Sequence, residues 1–418
     1  MRITEKLLDA AVVATTDMLK FNQPADNVLS SHFKVDRTGA HERAFIAETA
    51  YAVLRRKRFI EHLVGESATP RQKTLAALVR LQGVSQRQLA EAVSARELEW
   101  VAQLKGKAES PLTLAEQADL PDWLAERLLE HMAADEMLAL ARGLNQPAPL
   151  DLRVNALKAT REEVLARFAA DGIAAKACPY APMGVRLEGR PSLARHPLFL
   201  EGKVEVQDEG SQLLGHLLAP RRGEMVVDFC AGAGGKTLLL GALMRSTGRL
   251  YAFDVADKRL MKLKPRLARS GLSNVHPVLI AGENDIKVKR LAGKADRVLV
   301  DAPCSGLGTL RRNPDLKWRQ TPASVAELAR KQADILAGAA RLLKPGGRLV
   351  YATCSILPDE NEMIVDAFLA AHPGFAQLSA AELLEKQGIA IDTGAALRLL
   401  PHTHGTDGFF AAVLERTS

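Results

Sequence analysis

The stretch Val226-Val227-Asp228-Phe229-Cys230-Ala231-Gly232-Ala233-Gly234-Gly235-Lys236-Thr237 decides the fold. An apolar run ends on an acid, turns through Gly232, Gly234 and Gly235, and opens into the leucine-rich start of a helix at Leu238-Leu239-Leu240. Glycines at a strand-to-helix turn let the backbone approach a ligand closely and aim its amide N–H groups at it. Three readings compete. A dinucleotide fingerprint, GxGxxG, finds its first pair in Gly232 and Gly234, but Thr237 occupies the place of its last glycine. A phosphate-binding loop, GxxxxGK[ST], matches at Gly235-Lys236-Thr237, but Cys230 stands where its first glycine belongs. The apolar run ending at Asp301 would serve that second reading as a magnesium-binding strand. A tight turn with no ligand is the third.

Further strands follow at Arg249–Asp254, Val275–Ile280, Arg297–Asp301 and, after a long helix, Gly347–Thr353. This alternation, from about Gln207 onward, predicts a doubly wound parallel sheet with its ligands at the carboxyl ends of the strands. Asp254 ends the second strand, where an acid suits the ribose hydroxyls of a dinucleotide or of S-adenosylmethionine. A P-loop ATPase has no use for it, so the balance falls on an adenosyl cofactor.

Upstream the pattern changes twice. Residues 1–145 read as helices only, with apolar positions three and four apart, as at Ile46, Ala50, Val53 and Leu54. Asn145-Gln146-Pro147-Ala148-Pro149 is a linker, since its prolines block helix propagation. Residues 150–206 then read as a small α+β module. Leu152, Val154 and Ala156 alternate as a strand, Thr160 to Glu163 form a capping box, and short strands are expected at Ile173–Cys178, Val185–Leu187 and Val204–Val206.

The chain has 418 residues, too many for one typical core, and two or three domains are expected. A net charge of +7 favours polyanionic partners. The cations cluster at Arg55-Arg56-Lys57-Arg58, Arg221-Arg222, Lys287-Val288-Lys289-Arg290, and Arg311-Arg312 with Lys317 and Arg319. The bland reading of each cluster is a solvated face, but three of the four flank the chemical motifs read below. Four cysteines without CxxC spacing argue against a zinc site and against a disulfide framework. His402-Thr403-His404 offers two ligands without a third, so no metal is expected and a loop before the last strand is the better reading. The N-terminus has charge-interrupted helical spacing unlike a signal peptide, and no apolar run suffices to cross a bilayer. A cytoplasmic protein with reduced thiols, bound to no membrane, is expected.

Asp301-Ala302-Pro303-Cys304-Ser305-Gly306 follows the fourth strand and Thr353-Cys354-Ser355 the fifth. Neighbouring strands would bring both thiols to the rim that carries the glycine turn. An isolated cysteine is usually a small buried hydrophobe, which is the reading kept for Cys178, while Cys230 is expected to line the turn. A cysteine beside a methyl donor suggests a particular chemistry. Carbon-5 of cytosine is too weak a nucleophile to attack a sulfonium methyl, but a thiolate added at carbon-6 makes it enamine-like. An acid such as Asp301 would bond the amino edge of the ring and assist protonation at nitrogen-3.

At this point the chain resembles the Nop/Sun family of RNA cytosine-5 methyltransferases. The resemblance rests on Asp228 to Thr237, Asp301 to Gly306 and Thr353-Cys354-Ser355, and extends through Arg311-Arg312-Asn313-Pro314-Asp315-Leu316-Lys317-Trp318, Leu343-Lys344-Pro345-Gly346-Gly347 and Asp407-Gly408-Phe409-Phe410. Arg153-Val154-Asn155 is similar to the family's pre-catalytic module, and the Glu48 to Arg56 stretch looks like the NusB-like RNA-binding bundle of the bacterial Sun (RsmB-like) subgroup.

The resemblance implies an α/β fold with a Rossmann-like class I methyltransferase domain at 207–418, the small module at 150–206 and a NusB-like helical domain at 1–145. It implies methylation of carbon-5 of a cytosine in 16S ribosomal RNA using S-adenosylmethionine; separately, a monomer is expected. It makes Cys354 the nucleophile and Cys304 the residue that helps release product. It places Cys230, Ala231, Gly232, Ala233, Gly234, Gly235, Lys236, Asp254, Asp301 and an acid after the third strand around the cofactor, with Lys236 and Asp301 also facing the base. Two departures stand out. The family's turn is Cys-Ala-Ala-Pro-Gly-Gly-Lys, and Gly232 and Ala233 replace its second alanine and its proline. The third-strand acid is usually an aspartate after a glycine; here Glu283 follows Gly282 and is favoured by position over Asp285. The rivals are a P-loop NTPase and an RNA-binding ribosome-assembly factor with a degenerate methyltransferase fold. Intact Cys354, Pro303 and Asp301 argue against degeneration.

Overall fold

The computed structural model describes residues 2–35, 38–106 and 111–418. Its first unit, Met1–Pro147 with Thr309–Pro322, carries helices and no strand among the described residues. Leu7, Ala11, Ala14 and Met18 on the helix Glu5–Met18 pack with Ile46, Ala50 and Leu54 on Ala40–Arg55, a 3.6-residue stripe on each. Burying each leucine of such a stripe contributes about 1.5–3 kcal/mol.

Thr309–Pro322 belongs to this helical unit, although the sequence places it inside the catalytic stretch 207–418. The Trp318 indole donates to the Leu54 carbonyl at 2.9 Å. The Lys317 ammonium donates to the Arg55 carbonyl at 2.8 Å and to Asn145 Oδ1 at 3.0 Å. Lys317 is fully buried and burial pulls its ammonium down to about 7, so it is no part of a solvated face. The cluster at Arg55–Arg58 is also largely engaged within the unit. Arg56 pairs with Asp119, Lys57 with Glu61 and Arg58 with Asp122, while Arg55 donates to the Arg311 carbonyl.

The second unit, Ala148–Gly308 with Ala323–Ser418, carries two sheets. The strands in chain order are β1 (Leu150–Val154), β2 (Ala175–Ala177), β3 (Gly184–Leu187), β4 (Val204–Val206), β5 (Met225–Asp228), β6 (Arg249–Asp254), β7 (Val275–Leu279), β8 (Ala295–Asp301), β9 (Leu343–Thr353), β10 (Phe375–Leu378), β11 (Leu397–Leu399) and β12 (Phe409–Arg416). The first four form an antiparallel sheet in the order β2-β3-β1-β4. β2 is shorter than expected, because the Ile173 amide still closes the preceding helix onto the Phe168 carbonyl.

The large sheet runs β10-β12-β9-β8-β5-β6-β7, with β11 on β12. The five expected strands, β5 to β9, are parallel. The sheet is not parallel throughout: β10, β11 and β12 join it antiparallel. The central strands are apolar on both faces. Val226, Leu299 and Val350 enter one core, and Val227, Val298, Val300, Leu349 and Tyr351 enter the other. β9 begins four residues before the expected start, at Leu343, and a register shift in its pairing with β8 absorbs Lys344-Pro345-Gly346-Gly347. His402 to His404 lie in a one-turn helix opened by Pro401, not in a loop. Strand order reverses at β5, between β6 and β8, which is where doubly wound sheets open their ligand crevice. This is a Rossmann-like sheet beside a smaller α+β sheet. Among the described residues no helix is long and apolar enough to cross a membrane.

Candidate active site

The glycine turn follows β5 and opens the helix Gly235–Leu243. Gly234 caps it with φ +83°, and a Cβ there would meet Leu263 Cδ1 at 2.1 Å, so only glycine fits. Gly232 also has positive φ, +56°, but a Cβ there would enter open space. The turn has no proline at 233, and two arginines hold its carbonyls. Arg266 donates to the Ala233 carbonyl and Arg153 to the Gly235 carbonyl, both at 2.7 Å. Arg153 comes from β1, so the small module braces the turn directly. Sequence reading singled out Arg153 only through its resemblance and missed Arg266, which no local motif marks.

Three acids gather beneath this loop. Asp254, at the end of β6, accepts the amides of Gly232 and Ala256, each at 2.7 Å. Asp228 accepts the Thr237 hydroxyl at 2.6 Å, while its other oxygen has no hydrogen-bond partner among the described residues. Burial, with Asp301 and Asp254 nearby, pushes its carboxyl up to about 7. Asp301, at the end of β8, accepts Lys236 Nζ at 2.6 Å. Burial pulls the Lys236 ammonium down, but the Asp301 carboxylate outweighs it and the net shift is upward. Lys236 also lies 5.8 Å over the Phe409 ring. An acid-lined loop whose lysine is already paired is poorly suited to a nucleoside triphosphate, which disfavours the P-loop reading. It suits a ligand with a positive centre and hydroxyl donors.

The third-strand acids lie in different surroundings. Asp285 is spent as the cap of a one-turn helix, accepting the amides of Ala281 at 2.7 Å and Lys287 at 2.8 Å, which lower its carboxyl. Glu283 accepts the Asn284 side-chain amide at 2.8 Å, and its stem lies against Gly338. It shares no hydrogen bond with the glycine turn among the described residues.

The loops after β8 and β9 bring Cys304 and Cys354 together, with Sγ atoms 3.3 Å apart and the Cys354 amide directed at Cys304 Sγ at 3.3 Å. Both thiols are free, at well beyond a disulfide bond of about 2.05 Å. The hydrogen bond to Cys354, then burial, raises the Cys304 thiol, so it keeps its proton. Gly308 lets the loops close. Its amide donates to the Cys354 carbonyl at 2.8 Å, and a Cβ there would strike the Gly408 carbonyl at 2.2 Å.

Cys230 lines the turn, half-buried, and burial raises its thiol. Cys178 is buried and its thiol is raised likewise. Cys178, Asp151 and Glu209 converge closely enough to suggest a metal, but Arg186 pairs with Asp151 at 2.7 Å and with Glu209 at 3.4 Å, supplying the positive charge. The residue that sequence reading missed most plainly is Glu360. It is fully buried and bonds the serine following each cysteine.

Residues 215–415 match the family described as 16S rRNA methyltransferase RsmB/F, and residues 120–194 match the ferredoxin-like domain of the same group. The ribosomal RNA small subunit methyltransferase B of Serratia proteamaculans is 34% identical over 446 residues, covering 99% of each chain. The probable small subunit methyltransferase B of Synechocystis is 39% identical over 313 residues, 74% of this chain and 69% of its own. The crystal structure of PH0851 superposes with a TM-score of 0.81 at 29% identity over 99% of both chains. A methyltransferase homologue from Pyrococcus horikoshii gives 0.62 at 30% identity, over 72% of this chain and 97% of its own. With its Rossmann-like sheet, its ferredoxin-like module and its helical N-terminal region, this chain belongs to the RsmB/F family of 16S rRNA methyltransferases.

Proposed function

We propose that the chain methylates carbon-5 of a cytosine in 16S ribosomal RNA, with Cys354 as nucleophile and S-adenosylmethionine as methyl donor. The observation that carries this reading is the pair of thiols 3.3 Å apart at adjacent strand ends, in which the bond to Cys354 and burial push Cys304 toward the protonated form. Thiolate, not thiol, is the nucleophile, so the raised thiol is the poorer attacker. Lys236 lies near enough for its charge to interact with Cys354 and would stabilise the thiolate.

The donor fits the residues present. Bound, it would supply an electrophilic methyl group on a sulfonium. The backbone of residues 230–236 would cradle it in the open space above Gly232, and the Asp228 oxygen that has no partner among the described residues leaves an acceptor beneath the loop. Asp254 would take the ribose hydroxyls, and the negative charges of Asp254 and Asp301 would favour a cationic ligand. Glu283 is the third-strand acid assigned to the site by position.

In the base, the Cys354 thiolate adds to carbon-6 and the ring electrons shift toward carbon-5. Asp301 bonds the amino edge and Lys236 holds Asp301 in place. Carbon-5 would take the methyl group as its bond to the donor's sulfonium breaks and the donor leaves as a neutral thioether; a base would then remove the carbon-5 proton, and the returning electrons would expel the Cys354 sulfur while Cys304 assists release. The helical region 1–145 would dock RNA in the manner of NusB-like bundles, with 150–206 as the pre-catalytic module and 207–418 as the methyltransferase domain. The protein would work as a cytoplasmic monomer without metal. Incubating it with 16S rRNA and methyl-labelled S-adenosylmethionine, then digesting to nucleosides, tests the reading. Label in 5-methylcytidine is expected; label elsewhere, or none, overturns it.

A further inference from the structure

Glu360 sits at the centre of a hydrogen-bond cluster that joins the two cysteine loops. Its side chain is fully buried, in a one-turn helix just after β9. Oε1 accepts the Ser305 amide at 2.8 Å and the Gln332 side-chain amide at 3.0 Å. Oε2 accepts the hydroxyls of both Ser305 and Ser355. Those serines are the residues immediately after Cys304 and Cys354. Gln332, from the helix Pro322–Ala340, also donates to the Pro303 carbonyl at 3.0 Å. The Tyr351 hydroxyl donates to the Glu360 carbonyl at 2.6 Å. Cys304 is thus held on both sides, through Pro303 and Ser305, and Cys354 through Ser355.

The carboxylate is chemically specific here. The Ser355 hydroxyl oxygen already accepts the Leu357 amide at 3.1 Å, and the Ser305 oxygen accepts the Leu307 amide at 3.4 Å. Each hydroxyl hydrogen still needs an acceptor; Oε2 lies within reach of both, and the two hydroxyl oxygens lie 3.3 Å from each other, so at most one hydrogen has an alternative. A glutamine of the same shape would turn its NH2 toward donors at one end or the other, leaving buried hydrogens without acceptors.

We propose that Glu360 is a positioning residue: through Ser305 and Ser355 it fixes the spacing of the Cys304 and Cys354 thiols, and release of product from the covalent adduct depends on that spacing. The role in release rests on the thiol mechanism proposed above; the role in spacing does not. The test compares wild type with Glu360→Gln and with the double variant Ser305→Ala/Ser355→Ala, which removes the two hydroxyls and serves if the first variant fails to fold. In RNA-free protein, diamide takes two electrons and two protons from the thiol pair, and peptide mapping follows the Cys304–Cys354 disulfide. At least fivefold slower cross-linking is expected in either variant. In turnover, kcat should fall at least tenfold with KM for S-adenosylmethionine within twofold, and covalent protein–RNA complex should accumulate. Cross-linking within twofold of wild type overturns the spacing role, and an unchanged kcat overturns its importance for release. If wild type itself forms no 5-methylcytosine, the thiol mechanism falls while the cross-linking result still decides the spacing.

Discussion

The Asp254 carboxylate accepts the Gly232 amide at 2.7 Å, so the acid ending β6 grips the glycine turn that follows β5. A second bond, from Ala256, locks the same carboxylate in place. One side chain thereby orders the loop and presents negative charge to whatever occupies it. Asp254→Ala should remove a charge-assisted bond to the ribose, worth about 1.5–3 kcal/mol, or roughly 10- to 150-fold in affinity for S-adenosylmethionine. Asp254→Asn retains an oxygen for Gly232 and should fall between. Calorimetric titration measures both, and unchanged affinity in the alanine variant removes Asp254 from the binding site.

The two positive-φ glycines of the turn should fail in different ways. At Gly234 a methyl group collides with Leu263, a buried residue of the core. Gly234→Ala should therefore lower the melting temperature of the unliganded protein. At Gly232 the methyl group meets nothing, and the left-handed backbone costs roughly 1–2 kcal/mol. Gly232→Ala should melt closer to wild type, yet bind S-adenosylmethionine at least tenfold more weakly, because the methyl occupies space assigned to the ligand. Equal melting shifts in the two variants would contradict this division.

The strand-end motifs were legible because each is local. A buried parallel strand must be a continuous apolar run, and the residue leaving its carboxyl end is placed by that run alone, so Asp228, Asp254, Asp301, Cys304 and Cys354 could be located from sequence. The antiparallel strands β10 and β11 carry weaker patterns, four and three residues long, and their pairing with β12 is non-local. Glu360 stayed hidden for the same reason: its partners Ser305 and Gln332 lie 55 and 28 residues away. The burial of Lys317 was not legible, because a cation among arginines fits a solvated face as readily as a buried site. Its burial depends on Arg55 and Asn145, which lie 262 and 172 residues away.

Lys317 makes the helical unit sensitive to pH. Its folded pKa is lowered to about 7 from the usual 10.5 by burial, so between those values the unfolded chain binds more protons than the folded one. Stability then rises with pH across that window, and the deficit is largest below about 7. Thermal unfolding followed by tryptophan fluorescence should show the unit melting higher at pH 9 than at pH 6. Lys317→Met should flatten that rise relative to wild type, even though it also loses the bonds to Arg55 and Asn145. The same slope in both proteins would show that Lys317 does not titrate in this range.

The two thiols should separate cleanly by variant. Cys304 keeps its proton under the influence of Cys354 and of burial, which makes it a poor attacker at neutral pH. Cys354→Ala should then abolish both methylation and any covalent protein–RNA species, because Cys304 cannot take over the attack. Cys304→Ala leaves the nucleophile in place, so attack and methyl uptake should proceed while release stalls. A covalent complex should accumulate and survive denaturing electrophoresis. The reverse pattern, an adduct trapped in Cys354→Ala, would make Cys304 the nucleophile. It would also mean that the hydrogen bond between the thiols is reorganised when RNA binds, since the 3.3 Å contact favours the protonated form of Cys304 in the free protein. If neither variant loses activity, both sulfurs are bystanders and carbon-5 must be activated by another group at the rim, for which the Lys236–Asp301 pair is a candidate.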